Sequence, residues 1–157
     1  MAKQNSMKRA FTLLFFIGMA GVANAQLLKP VRWVFSSKKI AEKTYEIHLT
    51  ASIQPGWHLY SQNQPADAIN IPTAIAFNNN PLVVLDGKTK EDGKMEVYTD
   101  KRLGISANQY AIGVDFVQKV KLKANAKTNI SGSVEFQTCD DKKCLPAEKT
   151  VFNLPLQ

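Results

Sequence analysis

Between Thr44 and Ile53 apolar and polar residues alternate without a break. Tyr45, Ile47, Leu49, Ala51 and Ile53 fall on one face and Thr44, Glu46, His48, Thr50 and Ser52 on the other. A period of two is that of a half-buried strand with a polar outer face. Gln109 to Gln118 repeats the pattern, Tyr110, Ile112, Val114 and Phe116 opposing Gln109, Ala111, Gly113 and Asp115, and predicts one continuous strand. Ile130 to Thr138 predicts a third, with Ile130, Val134 and Phe136 inward. Shorter candidates are Val31 to Ser36, Trp57 to Tyr60, Pro81 to Leu85, Met95 to Thr99 and Thr150 to Leu154, and Trp33 is expected in the core. Turn signals at Gln54-Pro-Gly56, Asn78-Asn-Asn-Pro81, Asp86-Gly87 and Asp92-Gly93 separate them. No stretch sustains a helical period. About eight short strands over roughly 130 residues predict an all-β fold, an immunoglobulin-like antiparallel β-sandwich. With no internal repeat and no low-complexity linker, one domain is expected.

The N-terminus breaks this pattern. Lys3, Lys8 and Arg9 precede an apolar run from Phe11 to Val22, and Ala23-Asn24-Ala25 follows it. That order is a secretory signal peptide over residues 1–25, too short in its apolar part to span a bilayer comfortably. The domain is then Gln26 to Gln157, long enough for a real core. No later segment is apolar enough for a transmembrane helix, so no membrane insertion is expected after cleavage, and export implies a compartment where disulfides persist. The whole chain carries 20 basic and 13 acidic residues, a formal charge of +7. Three of the basic residues belong to the signal peptide, which leaves +4 for the domain. These charges are interspersed and form no basic stripe with aromatics, which argues against nucleic-acid binding.

The candidate chemistry lies near the C-terminus. Cys139 and Cys144 are the chain's two cysteines, in Phe136-Gln-Thr-Cys-Asp-Asp-Lys-Lys-Cys-Leu-Pro-Ala-Glu148. A disulfide closing so short a loop is worth only about 2 kcal/mol by chain entropy, so redox chemistry and stapling both remain open. Cys139 shares the parity of Ser131, Ser133, Glu135 and Gln137, which predicts an outward side chain; the charged loop cannot be deeply buried, so both sulfurs are expected near the surface. Asp140 and Asp141 should raise the pKa of Cys139, whereas Lys142 and Lys143 should favour the thiolate of Cys144 and make it the better attacker. His58 and Tyr60 share a face of their segment, either beside the disulfide or in ordinary strand packing. His48, on a polar face, is expected to be solvated. A zinc site of Cys139, Cys144, His48 and His58 fits no compact ligand spacing, and no Ser/His/Asp signature or phosphate loop is present. No metal or dissociable cofactor is expected.

The segment Val134-Glu-Phe-Gln-Thr-Cys139, its short loop and Cys144-Leu-Pro146-Ala-Glu148 resemble the N-terminal periplasmic domain of the thiol:disulfide interchange protein DsbD. Gly56-Trp-His-Leu-Tyr60 and Gly93-Lys-Met-Glu-Val-Tyr98, with Asp100 and Arg102-Leu103 beyond, resemble two further segments of that family in the same order. The resemblance implies an immunoglobulin-like fold with a redox-active Cys139–Cys144 disulfide at one end. It implies that Cys144 forms mixed disulfides and Cys139 resolves them, with His58, Tyr60, Glu91 and Pro146 lining the site. It further implies a periplasmic protein that takes electrons from a thioredoxin-like protein or domain and passes them to periplasmic disulfide-exchange proteins, in protein disulfide reduction or cytochrome c maturation. Three departures stand out. The loop between the cysteines is one residue shorter than in well-known members. The stretch Lys88-Thr-Lys-Glu-Asp92 has no aromatic where the family carries a shielding one, and Glu91 stands near that place. The electron-conducting membrane region and thioredoxin-like domain do not follow, so a separate membrane electron transporter is expected to supply electrons. The competing reading is a non-enzymatic β-sandwich that binds a protein partner and carries a structural disulfide.

Overall fold

The structure is a computed structural model and describes residues 28–157; the signal peptide expected over residues 1–25 lies outside the described residues. Eleven strands and no helix make up the described residues. The alternation read from Thr44 to Ile53 becomes β2 (Thr44–Ile53), paired through a tight turn at Glu42-Lys43 with β1 (Val31–Ala41). β8 (Gly113–Leu122) lies on the other side of β2, and β5 (Val83–Asp92) closes this first sheet in the order β1-β2-β8-β5. A second sheet, β11-β9-β4, is built from Glu148–Leu156, Thr128–Phe136 and Ala74–Phe77. All pairings are antiparallel.

The two sheets bury their apolar faces against each other, as a sandwich must. Ile47, Leu49, Phe116 and Val120 come from one side and Ile130, Val134, Phe152 and Leu156 from the other. Trp33 packs across the interface, its ring 5.3 Å from that of Phe136 and 5.9 Å from that of Phe116. Burying each such side chain contributes about 1.5–3 kcal/mol. At one point the layers need a residue with no side chain. A Cβ at Gly132 would stand 2.2 Å from the Ala76 carbonyl oxygen and 2.6 Å from the Phe152 ring.

A third sheet, β10-β3-β7-β6, comprises Thr138–Cys139, His58–Tyr60, Ile105–Tyr110 and Met95–Asp100. It extends the same core through Leu59 and Tyr110. Its existence corrects one expectation. The single strand from Gln109 to Gln118 is two strands in different sheets. Tyr110 pairs with Leu59 and Met95 in the third sheet, whereas Gly113 pairs with Ser52 in the first. The chain bends at Ala111-Ile112 to cross between them, and Ile112 is 78% exposed instead of buried. Tyr110, Val114 and Phe116 are buried as the alternation requires. His48 is a second correction: its Nδ1 lies 2.7 Å from Asp115 Oδ2, so it pairs with a carboxylate across the β2–β8 ladder and is not simply solvated.

Candidate functional site

The site is made where β9 hands the chain to the third sheet. β9 ends at Phe136, Gln137 bridges, and Thr138–Cys139 form β10 against β3, Thr138 opposite Leu59 and Cys139 opposite His58. The following Asp140–Lys143 segment is a turn that its own residues hold. The Asp140 carboxylate accepts hydrogen bonds from the backbone N–H of Lys142 at 2.8 Å and of Lys143 at 2.7 Å. Asp140 N–H donates to the Lys143 carbonyl and Leu145 N–H to the Thr138 carbonyl, each at 2.9 Å. An Asp that caps its own turn in this way is a common local solution. Between those two rungs Cys139 and Cys144 face each other as a non-hydrogen-bonded antiparallel pair, the arrangement of closest approach. Their Cα atoms are 4.0 Å apart and their sulfurs form a disulfide. The two amide donors hold the Asp140 carboxyl below the ordinary aspartate pKa.

The sulfurs are not equivalent. Cys139 is only 3% exposed and clusters with Tyr60 and Ala107, whereas Cys144 is exposed. The outward Cys139 expected from strand parity is therefore corrected. Alternation breaks at Gln137, where the chain changes sheets, and the loop after β3 then covers Cys139. From that loop Asn70 Nδ2 donates to Cys139 Sγ at 3.9 Å.

An open cavity of about 640 Å³ lies beside the pair. His58 and Tyr60 line it together with both cysteines and the Asp140–Lys143 turn. Burial pushes the Tyr60 hydroxyl above its ordinary pKa, while the Asn70 side chain opposes that shift. Glu91 and Pro146 are not among the lining residues. Pro146 is exposed beyond the hairpin. Glu91 belongs to β5, opposite Phe116, so Lys88 to Asp92 is strand and not a covering loop. Its carboxylate instead ties sheets together, accepting from Tyr110 Oη at 2.6 Å and from Gln62 N and Nε2 at 2.8 and 3.1 Å. Tyr110 is thereby driven strongly upward in pKa, by burial first and by Glu91 second.

Sequence reasoning missed five of the lining residues, Ile69, Asn70, Tyr98, Ile105 and Gln109. Ile69 and Asn70 sit in a segment without periodicity, and nothing local marks them. Tyr98, 48% exposed on β6, ends the Gly93-to-Tyr98 segment; it brings an aromatic to the cavity wall that Lys88 to Asp92 does not provide. Among the described residues no group of three or more His, Cys, Asp or Glu is placed to hold a metal ion. His48 stands on β2 in the first sheet and His58 on β3 in the third, so the four-residue zinc set is not assembled.

The sequence profile of the family described as thiol:disulfide interchange protein DsbD, N-terminal, matches residues 24–156. The chain belongs to the DsbD N-terminal family. Thiol–disulfide interchange is thus its chemistry at the level of the family. No curated protein sequence matches the chain significantly. Among solved structures, the N-terminal periplasmic domain of ScsB from Proteus mirabilis is 18% identical with a TM-score of 0.50, over 83% of this chain and 49% of that one. The reduced DsbD N-terminal domain of Neisseria meningitidis is 14% identical with a TM-score of 0.48, over 77% of this chain and 82% of that one. The complex between the DsbD N-terminal and PilB N-terminal domains of Neisseria meningitidis gives 14% identity and a TM-score of 0.47, over 82% of this chain and 87% of the matched one. The all-β, immunoglobulin-like fold expected of the DsbD N-terminal family is the fold found.

Proposed function

We propose that this protein is a periplasmic electron carrier that cycles Cys139–Cys144 between disulfide and dithiol. It takes electrons from a thioredoxin-like protein or domain of a separate membrane transporter and passes them to periplasmic disulfide-exchange proteins, with export by the signal peptide over residues 1–25. The observation that carries this reading is the burial asymmetry of a bonded pair beside an open cavity. Exchange requires one sulfur that a partner reaches and a second that waits beside it. Cys144 has the first property and Cys139 the second. A partner thiolate attacks Cys144 Sγ, Cys139 leaves with the electron pair of the S–S bond and takes a proton, and a second partner thiol then displaces Cys144. The partner ends as a disulfide and this protein as a dithiol. In the donating direction Cys144 attacks the acceptor's disulfide and Cys139 resolves the mixed disulfide.

The alternative, a structural staple, gains little from this hairpin. Asp140 and the backbone rungs on both sides of the cysteines already close it, and a loop this short adds only about 2 kcal/mol of cross-link entropy. Trapping in the native cell tests the proposal. Cys139→Ser is expected to accumulate mixed disulfides through Cys144 with thioredoxin-like proteins, and Cys144→Ser to accumulate none. Equal yields from the two variants would remove the role assigned to Cys144.

A further inference from the structure

The loop between β3 and β4 reaches the disulfide at one point, and a specific clamp sets it there. Ile71 N–H donates to Gln137 Oε1 at 3.2 Å, and Gln137 Nε2 donates to the Leu145 carbonyl at 3.2 Å. The Gln137 side chain thus joins the loop to the residue after Cys144. Thr73 Oγ1 donates to the Tyr60 carbonyl at 2.5 Å and anchors the same loop to β3. Asn70 immediately precedes the first of these ties. Its amide makes the one hydrogen bond to either sulfur among the described residues, and it goes to the buried sulfur, Cys139 Sγ.

We propose that the Asn70 amide stabilises Cys139 as the leaving thiolate when a partner attacks Cys144. The inference rests on the exchange reading above and assigns a residue to its hardest step. When the Cys139–Cys144 disulfide breaks, negative charge develops on a sulfur that is 3% exposed and has little water to solvate it. An amide donor 3.9 Å from that sulfur binds it more strongly as the charge grows, because hydrogen bonds to ionised acceptors are roughly twice as strong as neutral ones. A leaving thiol of lower pKa also departs faster. The amide therefore favours attack at Cys144 over attack at Cys139 twice: the covered sulfur is out of reach, and it is the better leaving group. Asp140, the nearest carboxylate in sequence, cannot take this role, because an ionised carboxylate has no proton to donate; its oxygen accepts from the Lys142 and Lys143 amides.

The test needs no natural partner. The oxidised protein is reduced with dithiothreitol across a range of pH, as wild type, Asn70→Ala and Asn70→Asp, and Cys139 is titrated in a Cys144→Ser background with and without Asn70→Ala. Asn70→Ala is expected to react about tenfold more slowly, the loss of one hydrogen bond to a charged group. Asn70→Asp, similar in shape but with a carboxylate in place of the donor, is expected to be slower still. Removing Asn70 is expected to raise the Cys139 pKa. Thermal unfolding of the oxidised variants confirms that each is folded, and Asn70→Asp carries the comparison if Asn70→Ala is not. Rates within about twofold of wild type, or slower rates with an unmoved Cys139 titration, overturn the role of Asn70. A wild-type disulfide that dithiothreitol cannot reduce in the folded protein would overturn the exchange reading instead, so the two failures are distinguishable.

Discussion

Cys139 stands opposite His58 across the β10–β3 ladder, so the ring of a residue far upstream in the chain belongs to the same short sheet as the buried sulfur. That pairing orders the site. It fixes Cys139 on a strand, places His58 and Tyr60 along the cavity, and leaves Cys144 on the free side of the hairpin.

The first expected consequence is selective alkylation. In the reduced protein Cys144 should react with iodoacetamide at least about tenfold faster than Cys139, because access and thiolate fraction together set thiol reactivity. Peptide mass spectrometry after a short pulse reads the ratio. Equal labelling would mean that the burial difference does not survive reduction.

The sheet junction is held by one carboxylate. Glu91→Ala removes the acceptor of the Tyr110 hydroxyl and of both Gln62 donors, and should cost about 1–3 kcal/mol in denaturant unfolding, with part-buried donors left unpaired. Tyr110→Phe alone should cost less, and the double variant should fall short of the sum because the two side chains share a bond. Strict additivity would argue that the tie contributes nothing.

Little of this tie was legible in the chain. The faces of β2 and β9 were, because each strand stays in one sheet and its period of two runs unbroken. Gln109 to Gln118 and Ile130 to Cys139 were misread at the same kind of place: Ala111-Ile112 and Gln137 are where the chain passes from one sheet to another, and alternation carries no signal for that change. The cysteines, His58 and Tyr60 announced themselves by residue type and motif. Asn70 and Ile69 did not, since their positions depend on the Gln137 clamp and on a loop without a pattern. Glu91 was noticed for what it replaces, and its three hydrogen bonds come from residues distant in sequence.

Acid should loosen the cysteine turn. The Asp140 carboxyl has its pKa lowered by the Lys142 and Lys143 amides, so its contribution is present above the ordinary aspartate pKa and is lost as pH falls through the lowered folded value. Asp140→Ala should therefore be less stable than wild type at neutral pH, and the two should converge at strongly acid pH. Unfolding measured across that range checks the sign; a gap that widens on acidification would contradict it.

Gly132→Ala tests the sandwich itself. The added methyl meets the Ala76 carbonyl and the Phe152 ring, and overpacking of this kind costs about 1–3 kcal/mol. Because Gly132 lies in β9 and makes no part of the cavity, the folded variant should exchange thiols at the wild-type rate. A slower exchange rate with unchanged stability would place β9 in the chemistry.

The most direct measurement is the reduction potential of the Cys139–Cys144 pair, taken by equilibration against glutathione or dithiothreitol. A redox carrier is expected to be more oxidising than about −300 mV, within reach of thioredoxin-like partners. A value below about −300 mV would mark a structural disulfide and contradict the assignment of this hairpin to electron transfer.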